Sequence, residues 1–314
     1  MNPKYCWIFF TEKCNLDCEY CFYKFRDLKS TLTFEQIKTI IDSMPSNIEF
    51  VFSGGEPFAE WNLLKKSIEY IRKSKNSYIL IQSNGVLINE EQVNFLKENK
   101  VNIEIGLDGL EISNIHRKGI NTKIQNKILE NIKILNQNFI HTTCTMTVHP
   151  SQCMNMLQNI EYLISIGLNK IEVTPAIFEK WDENSVKEFK RNYLLCLKHR
   201  KNLIGEYDIP SNTEIDYIID AKSHILPNWC WLSLTNKKDM AIGQVFNDKI
   251  ILNKDKVNSL LSHSLKGKTY REKSTILSKY VYENLGREKY FENYNEVNKF
   301  IKKINQKIIV NKTL

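Results

Sequence analysis

A chain of 314 residues lies at the upper end of what one hydrophobic core supports, so a catalytic-sized domain with a smaller C-terminal extension is the natural division. Its 42% apolar and 25% charged residues exclude a disordered or fibrous chain, and no apolar run approaches the roughly 20 residues of a membrane span. The net charge of +8 is unevenly placed: from Asp248 onward 15 Lys and Arg face 7 Asp and Glu, a difference of +8, leaving 29 against 29 before it.

Residues 4–10, aromatic and apolar, predict a buried first strand. Thr33-Phe34-Glu35-Gln36 is a capping box, and Ile37, Ile40, Ile41 and Met44 follow at helical spacing. The alternation then repeats. Asn47–Phe52 reads as a strand and Trp61–Ser74 as a helix, Tyr78–Gln82 as a strand and Asn89–Asn99 as a helix. Val101–Leu107 precedes a helix over Asn121–Gln137 with Ile124, Ile128, Ile132 and Leu135 on one face. Phe139–Val148 leads into a helix from Ser151 to Ile166, and Lys170–Pro175 is the sixth strand. Short strands alternating with helices imply a parallel sheet curled by right-handed crossovers. The expected fold is α/β, a partial (β/α)6 barrel over residues 1–205, with a mainly helical region over 206–314 that contains a small β-hairpin.

Between the first strand and the first helix stand Cys14, Cys18 and Cys21. Three thiolates at this spacing can converge on one iron–sulfur cluster while backbone N–H groups face the sulfurs. Three ligands would leave the fourth iron of a four-iron cube open for a substrate or cofactor. A structural zinc site wants four ligands, and the loop holds no fourth Cys or His. Cys6, Cys144, Cys153 and Cys196 are assigned to the core.

Cys14-x3-Cys18-x-Tyr20-Cys21, followed by Ser53-Gly54-Gly55-Glu56-Pro57, resembles the signatures of the radical S-adenosylmethionine (SAM) superfamily, over about residues 4 to 175. The resemblance implies one [4Fe–4S] cluster held by Cys14, Cys18 and Cys21. It further implies SAM chelated at the open iron and cleaved by one-electron reduction, and a 5′-deoxyadenosyl radical that removes a substrate hydrogen. Tyr20 would face the adenine. Gly54 and Gly55 would let the backbone approach the methionine end of SAM, Glu56 would accept from its ammonium, and Pro57 would fix the chain direction. Ser83-Asn84 resembles the family's Thr-Asn-Gly after the third strand. Gly106-Leu107-Asp108-Gly109 resembles the Ser-Leu-Asp-Gly of peptide-modifying members, with Gly106 where those have serine. Of the family's His-Asp-x-x-Arg run only Arg117 remains, carried forward as a carboxylate partner. In parallel α/β sheets ligands bind beyond the carboxyl ends of the strands, and these motifs all fall there.

The C-terminal third is less legible. Trp229-Cys230-Trp231 precedes a hairpin expected over Ala241–Asn253 with its turn at Asn247-Asp248, and resembles a remnant of a SPASM-type domain. Asn253 stands where a ligand cysteine would be, and no cysteine follows Cys230, so no auxiliary cluster is expected. Cys230 is a candidate hydrogen donor, with a buried structural thiol as its plainer role. Tyr270, Tyr280, Tyr282, Tyr290, Phe291 and Tyr294 read as core aromatics of amphipathic helices.

The leading functional expectation is a radical SAM enzyme acting on a peptide or protein, in the maturation of a ribosomally synthesised peptide. A small-metabolite substrate is the alternative, and a non-catalytic iron–sulfur or zinc sensor the alternative of another class. Flavodoxin or ferredoxin is expected as electron donor and a separate peptide-recognition protein as a further partner. The basic tail is either a solvated helical surface or a face for an acidic partner. Nucleic acid is disfavoured because the basic residues form no dense run. Free cysteines and the lack of a basic-then-apolar leader point to a cytoplasmic protein.

Overall fold

The structure is a computed structural model that describes residues 5–23, 26–200, 217–226, 237–258, 279, 282–283 and 286–312. Six strands, β1 (Tyr5–Thr11), β2 (Glu49–Gly54), β3 (Tyr78–Ser83), β4 (Asn102–Gly106), β5 (Thr142–Val148) and β6 (Lys170–Pro175), lie side by side in chain order, all parallel. Between them run α1 (Phe34–Ser43), α2 (Trp61–Ser74), α3 (Glu90–Glu98), α4 (Thr122–Gln137) and α5 (Met156–Ser165), and α6 (Glu183–Arg200) follows β6. The sheet is open, with β6 at one end, as a partial barrel requires.

Its two faces differ because strand side chains alternate. Ile8, Phe10, Phe50, Phe52, Ile79, Ile81, Ile103, Ile105, Cys144, Met146, Ile171 and Val173 point to the helices and are buried with Ile37, Ile68, Val93, Ile132 and Ile160. Each fully buried side chain of this size contributes about 1.5–3 kcal/mol. The opposite face carries Gln82, Glu104, Gly106, Thr145, Thr147, Glu172 and Thr174, each half-buried. Ser53 Oγ donates to Gln82 Oε1 (2.9 Å), and Gln82 Nε2 (3.0 Å) and Thr145 Oγ1 (2.6 Å) donate to Glu104 Oε1. The expected capping box forms at Thr33 with Gln36 on α1, and a second, not anticipated, forms at Asn89 with Gln92 on α3.

The C-terminal region holds more strand than expected. Beyond β1 the sheet continues through β7 (Tyr217–Ile219), parallel to β1, then antiparallel through β8 (His224–Leu226), β9 (Gly243–Val245) and β10 (Ile250–Leu252). The β9–β10 hairpin is the expected one, closed by Phe246 N–H to Lys249 O (2.8 Å). β7 and β8 are three residues each, too short to show a period in sequence. The hairpin is pinned to α1, since Thr33 and Thr39 hydroxyls donate to Asn247 Oδ1 (3.0 Å) and O (2.7 Å). After the short helix α7 (Lys237–Met240), the last helix α8 (Phe291–Lys312) lies on α6. Tyr282, Phe291 and Tyr294 are buried there as core aromatics, while Tyr270 and Tyr280 lie outside the described residues.

Two boundaries shift furthest from expectation. The helix expected from Ser151 begins instead as a 3-10 turn, Pro150–Asn155, because Pro150 starts it after the cap His149. The strand expected from Phe139 begins at Thr142, because Phe139 is left-handed at φ 57 and 92% exposed. Cys6, Cys144, Cys153 and Cys196 are buried, as assigned. Among the described residues no helix is long and apolar enough to cross a membrane.

Candidate active site

The loop after β1 is held between the ends of two neighbouring structures. On one side Gly55 N–H donates to Thr11 O (2.8 Å) and Glu56 N–H to Lys13 O (2.7 Å). On the other, Asp17 N–H donates to Lys118 O (2.9 Å) and Glu19 N–H to His116 O (2.8 Å). The approach on the β2 side demands glycine. A Cβ on Gly54 would sit 2.3 Å from Thr11 O and one on Gly55 2.1 Å from Lys13 O, and Gly54 has φ +135, which L side chains avoid. A side chain at either position would collide with the backbone of the cysteine loop itself.

Glu56 is fully buried, and its donors come from inside the fold: Phe58 N–H (3.1 Å), Ser83 Oγ (2.9 Å) and Asn84 N–H (2.8 Å). Burial pushes its carboxyl up to about 7, against the pull of those donors. Glu56 and Ser83, both expected to face SAM, thus tie β2 to β3, and Pro57 is buried at the start of a 3-10 turn. Asn84 Nδ2 donates to Asn15 Oδ1 (2.8 Å), clasping the cysteine loop.

Tyr20, Asp108 and Arg117 meet as one buried group. Tyr20 Oη donates to Asp108 Oδ2, and Asp108 Oδ1 accepts from Arg117 Nη2 (2.9 Å) and Thr147 N–H (3.0 Å). The Arg117 guanidinium stands 5.5 Å from the Tyr20 ring centre. Arg117, expected as a carboxylate partner in cofactor binding, pairs here with Asp108 of the same chain. A Cβ at Gly106 would lie 3.0 Å from Arg117 Nη1, so glycine, where peptide-modifying members have serine, makes room for the guanidinium.

Cys14, Cys18 and Cys21 are half-buried in this frame. Burial pushes the Cys18 thiol up to about 11, opposed by Arg117, and raises the Cys14 thiol as well. Arg26 Nη1 donates to Cys21 Sγ (2.8 Å), and Arg26 also donates to Leu16 O (3.1 Å) and Tyr23 O (3.4 Å). Asp17, Cys18, Glu19, Cys21, Arg26, Leu28 and Lys118 line a pocket of about 250 Å³. Among the described residues no three metal-ligating side chains converge tightly enough to hold a single metal ion; three thiols on one loop beyond β1, with the Arg26 guanidinium against one sulfur, are by their chemistry the donor set of an anionic iron–sulfur cluster. Cys230 lies outside the described residues.

Several site residues carried no sequence signal. Arg26 was one basic residue in a polar loop. His116 and His149 come from turns after different strands yet stack at 3.6 Å between ring centres. Ser151 Oγ bridges His116 Nε2 (3.0 Å) and His149 Nδ1 (2.8 Å), with Glu19 on His116 Nδ1 (2.7 Å) and Glu179 3.7 Å from His149 Nε2. The His116 and Lys118 contacts hold the Glu19 carboxyl below its usual range. Only His116, next to Arg117 in a motif position, could have been picked out beforehand.

An open parallel sheet that carries three thiols and an arginine on the loop beyond its first strand is the framework of an iron–sulfur enzyme. The chain belongs to the radical SAM superfamily, whose family profile matches residues 8–184. It is an enzyme that cleaves SAM, with a [4Fe–4S] cluster and SAM as its cofactors. An uncharacterized protein of Methanocaldococcus jannaschii is 28% identical over 249 residues, covering 76% of this chain and 80% of that one. The cysteine-type anaerobic sulfatase-maturating enzyme of Clostridium novyi is 35% identical over 144 residues, covering 40% of this chain and 38% of the enzyme's own length. In fold, the chain is similar to anSMEcpe with bound AdoMet and Cp18Cys peptide (TM-score 0.64, 18% identity, 81% of this chain and 79% of that one). It is likewise similar to Streptococcus suis SuiB bound to precursor peptide SuiA (TM-score 0.60, 14% identity, 75% and 61%).

Proposed function

We propose that this radical SAM enzyme abstracts a hydrogen atom from a peptide or protein substrate, in the maturation of a ribosomally synthesised peptide. The observation that carries the reading is the sulfatase-maturating relative, 35% identical across a stretch of 144 residues. Peptides in two solved structures of similar fold support it.

Cys14, Cys18 and Cys21 would hold the cluster, which with SAM supplies reductive cleavage to a hydrogen-abstracting 5′-deoxyadenosyl radical. The chain's own part is to hold and orient. Glu56, Ser83 and Asn84 fix the cysteine loop against β2 and β3. Tyr20, Asp108 and Arg117 fix it against β4 and β5. The half-buried polar face of Gln82, Glu104, Thr145 and Glu172 forms the floor on which SAM and substrate are oriented. Residues 1–205 act as the catalytic half-barrel and 206–314 as the closing region. Tyr282 Oη accepts from Phe178 N–H (2.9 Å) and Asn293 Nδ2 donates to Trp181 O (2.8 Å), so the closing region braces the loop after β6. Flavodoxin or ferredoxin supplies the electron, a separate protein presents the peptide, and the setting is the cytoplasm.

The test is anaerobic reconstitution followed by incubation with SAM, a low-potential reductant and short peptides encoded beside the gene. The expected result is 5′-deoxyadenosine formed in step with a peptide product altered in mass. SAM cleavage that no peptide stimulates, while a small metabolite does, would refute the peptide assignment.

A further inference from the structure

Arg26 carries a largely buried guanidinium whose one carboxylate contact is long and exposed. Its side chain is 8% exposed, and a guanidinium stays ionised in proteins. Burying such a charge is strongly unfavourable unless it is paired. Its neighbours are two neutral carbonyls, Leu16 O and Tyr23 O, and the Cys21 sulfur at 2.8 Å. The nearest carboxylate, Asp17, is 3.8 Å away and 90% exposed, so water screens it. The Arg26 Nε atom is buried with no partner at all.

Arg117, on the other flank of the loop, shows the contrast. Its side chain is 9% exposed and its Nε likewise lacks a partner, but Asp108, 3% exposed, pairs with it at 2.9 Å. Arg117 is neutralised inside the fold, and Arg26 is not. The two carbonyls fix the guanidinium plane so that Nη1 faces Cys21 Sγ.

We propose that Arg26 is the counter-charge of the cluster held by this loop and raises its reduction potential through the hydrogen bond to Cys21. The inference rests on the functional reading above. A cluster held by thiolates gains negative charge when it takes one electron from an external donor, and no bond forms or breaks in that step. A fixed cation and an N–H on a ligand sulfur favour the more negative state, and both are recognised determinants of cluster potential. Arg26 is thus a positioning and tuning residue, separate from the groups that contact substrate.

The experiment compares the reconstituted full chain with Arg26→Gln and Arg26→Lys in a redox titration followed by electron paramagnetic resonance. Iron is counted in each sample, and each metal-free protein is melted. The expected midpoint is lowest for Arg26→Gln, intermediate for Arg26→Lys and highest for the wild type, with iron content equal. Lysine keeps the charge but lacks the planar fork that spans both carbonyls. Equal midpoints at full iron content would overturn the proposal. Loss of iron from Arg26→Gln supports it if the metal-free variant melts with the wild type and Arg26→Lys keeps a cluster of lowered midpoint. Metal-free variants that both melt far below the wild type would make Arg26 a tie of the loop and overturn it. A wild type that takes up no iron–sulfur cluster would sink the functional reading, and this inference with it.

Discussion

Gly55→Ala separates two reasons for the glycine pair. If Gly55 serves only to admit a ligand, alanine leaves the metal-free fold unharmed. The structure predicts otherwise, because the new methyl would lie 2.1 Å from Lys13 O, 2.6 Å from Lys13 C and 2.8 Å from Glu12 O, all backbone atoms with no rotamer to yield. Relief requires lifting the cysteine loop from β2, which breaks Gly55 N–H to Thr11 O and Glu56 N–H to Lys13 O. Overpacking of this kind costs about 1–3 kcal/mol, and the two hydrogen bonds add about 1 kcal/mol each. A loss of about 3–5 kcal/mol corresponds to a Tm lower by about 10 °C for a chain of this size. Calorimetry on the metal-free protein reads it directly, and iron binding should fall in parallel. Metal-free Gly55→Ala melting within about 2 °C of the wild type would refute the packing argument, since the cost expected from overpacking is several-fold larger.

Glu56→Gln tests the buried carboxyl through pH. Its folded value, raised by burial from 4.5 to about 7, makes ionisation unfavourable in the fold. Glu56 therefore supports stability below pH 4.5, and that support is lost as pH rises through about 7. The gap is worth about 3 kcal/mol, so wild-type stability should decline from pH 4.5 to 7 relative to Glu56→Gln, read by urea unfolding at both pH values. Parallel profiles would count against a raised Glu56. Tyr282→Phe leaves Phe178 N–H buried without its acceptor, a loss of about 1–3 kcal/mol visible as a lower unfolding midpoint, and an unchanged midpoint would show that another acceptor moves in. Replacing Cys14, Cys18 or Cys21 singly by Ala should abolish retention of a full cluster, measured as iron and sulfide per chain. A single variant that keeps four irons would remove that cysteine from the ligand set.

How far the sequence could be read depended on whether a feature is local. Trp61–Ser74 and Lys170–Pro175 were bounded correctly because apolar periodicity and turn residues are encoded within a few neighbours. The capping box at Thr33 was legible for the same reason. The cysteine loop and the glycine run stood out as motifs, and strand order placed them at one end of the sheet.

What the sequence alone determined, then, was a parallel α/β chain with three thiols and a glycine turn at its strand ends. Only the tertiary structure decided what those residues touch. It seated Gly54 and Gly55 against the Thr11 and Lys13 carbonyls, and gave Glu56 to Ser83 and Asn84. It joined Arg117 to Asp108, stacked His116 on His149, and set Arg26 against Cys21. It also extended the sheet past β1 through β7 and β8. The physical reason is range: propensity and periodicity act between near neighbours, whereas burial, ion pairing and steric exclusion depend on residues that only folding brings together.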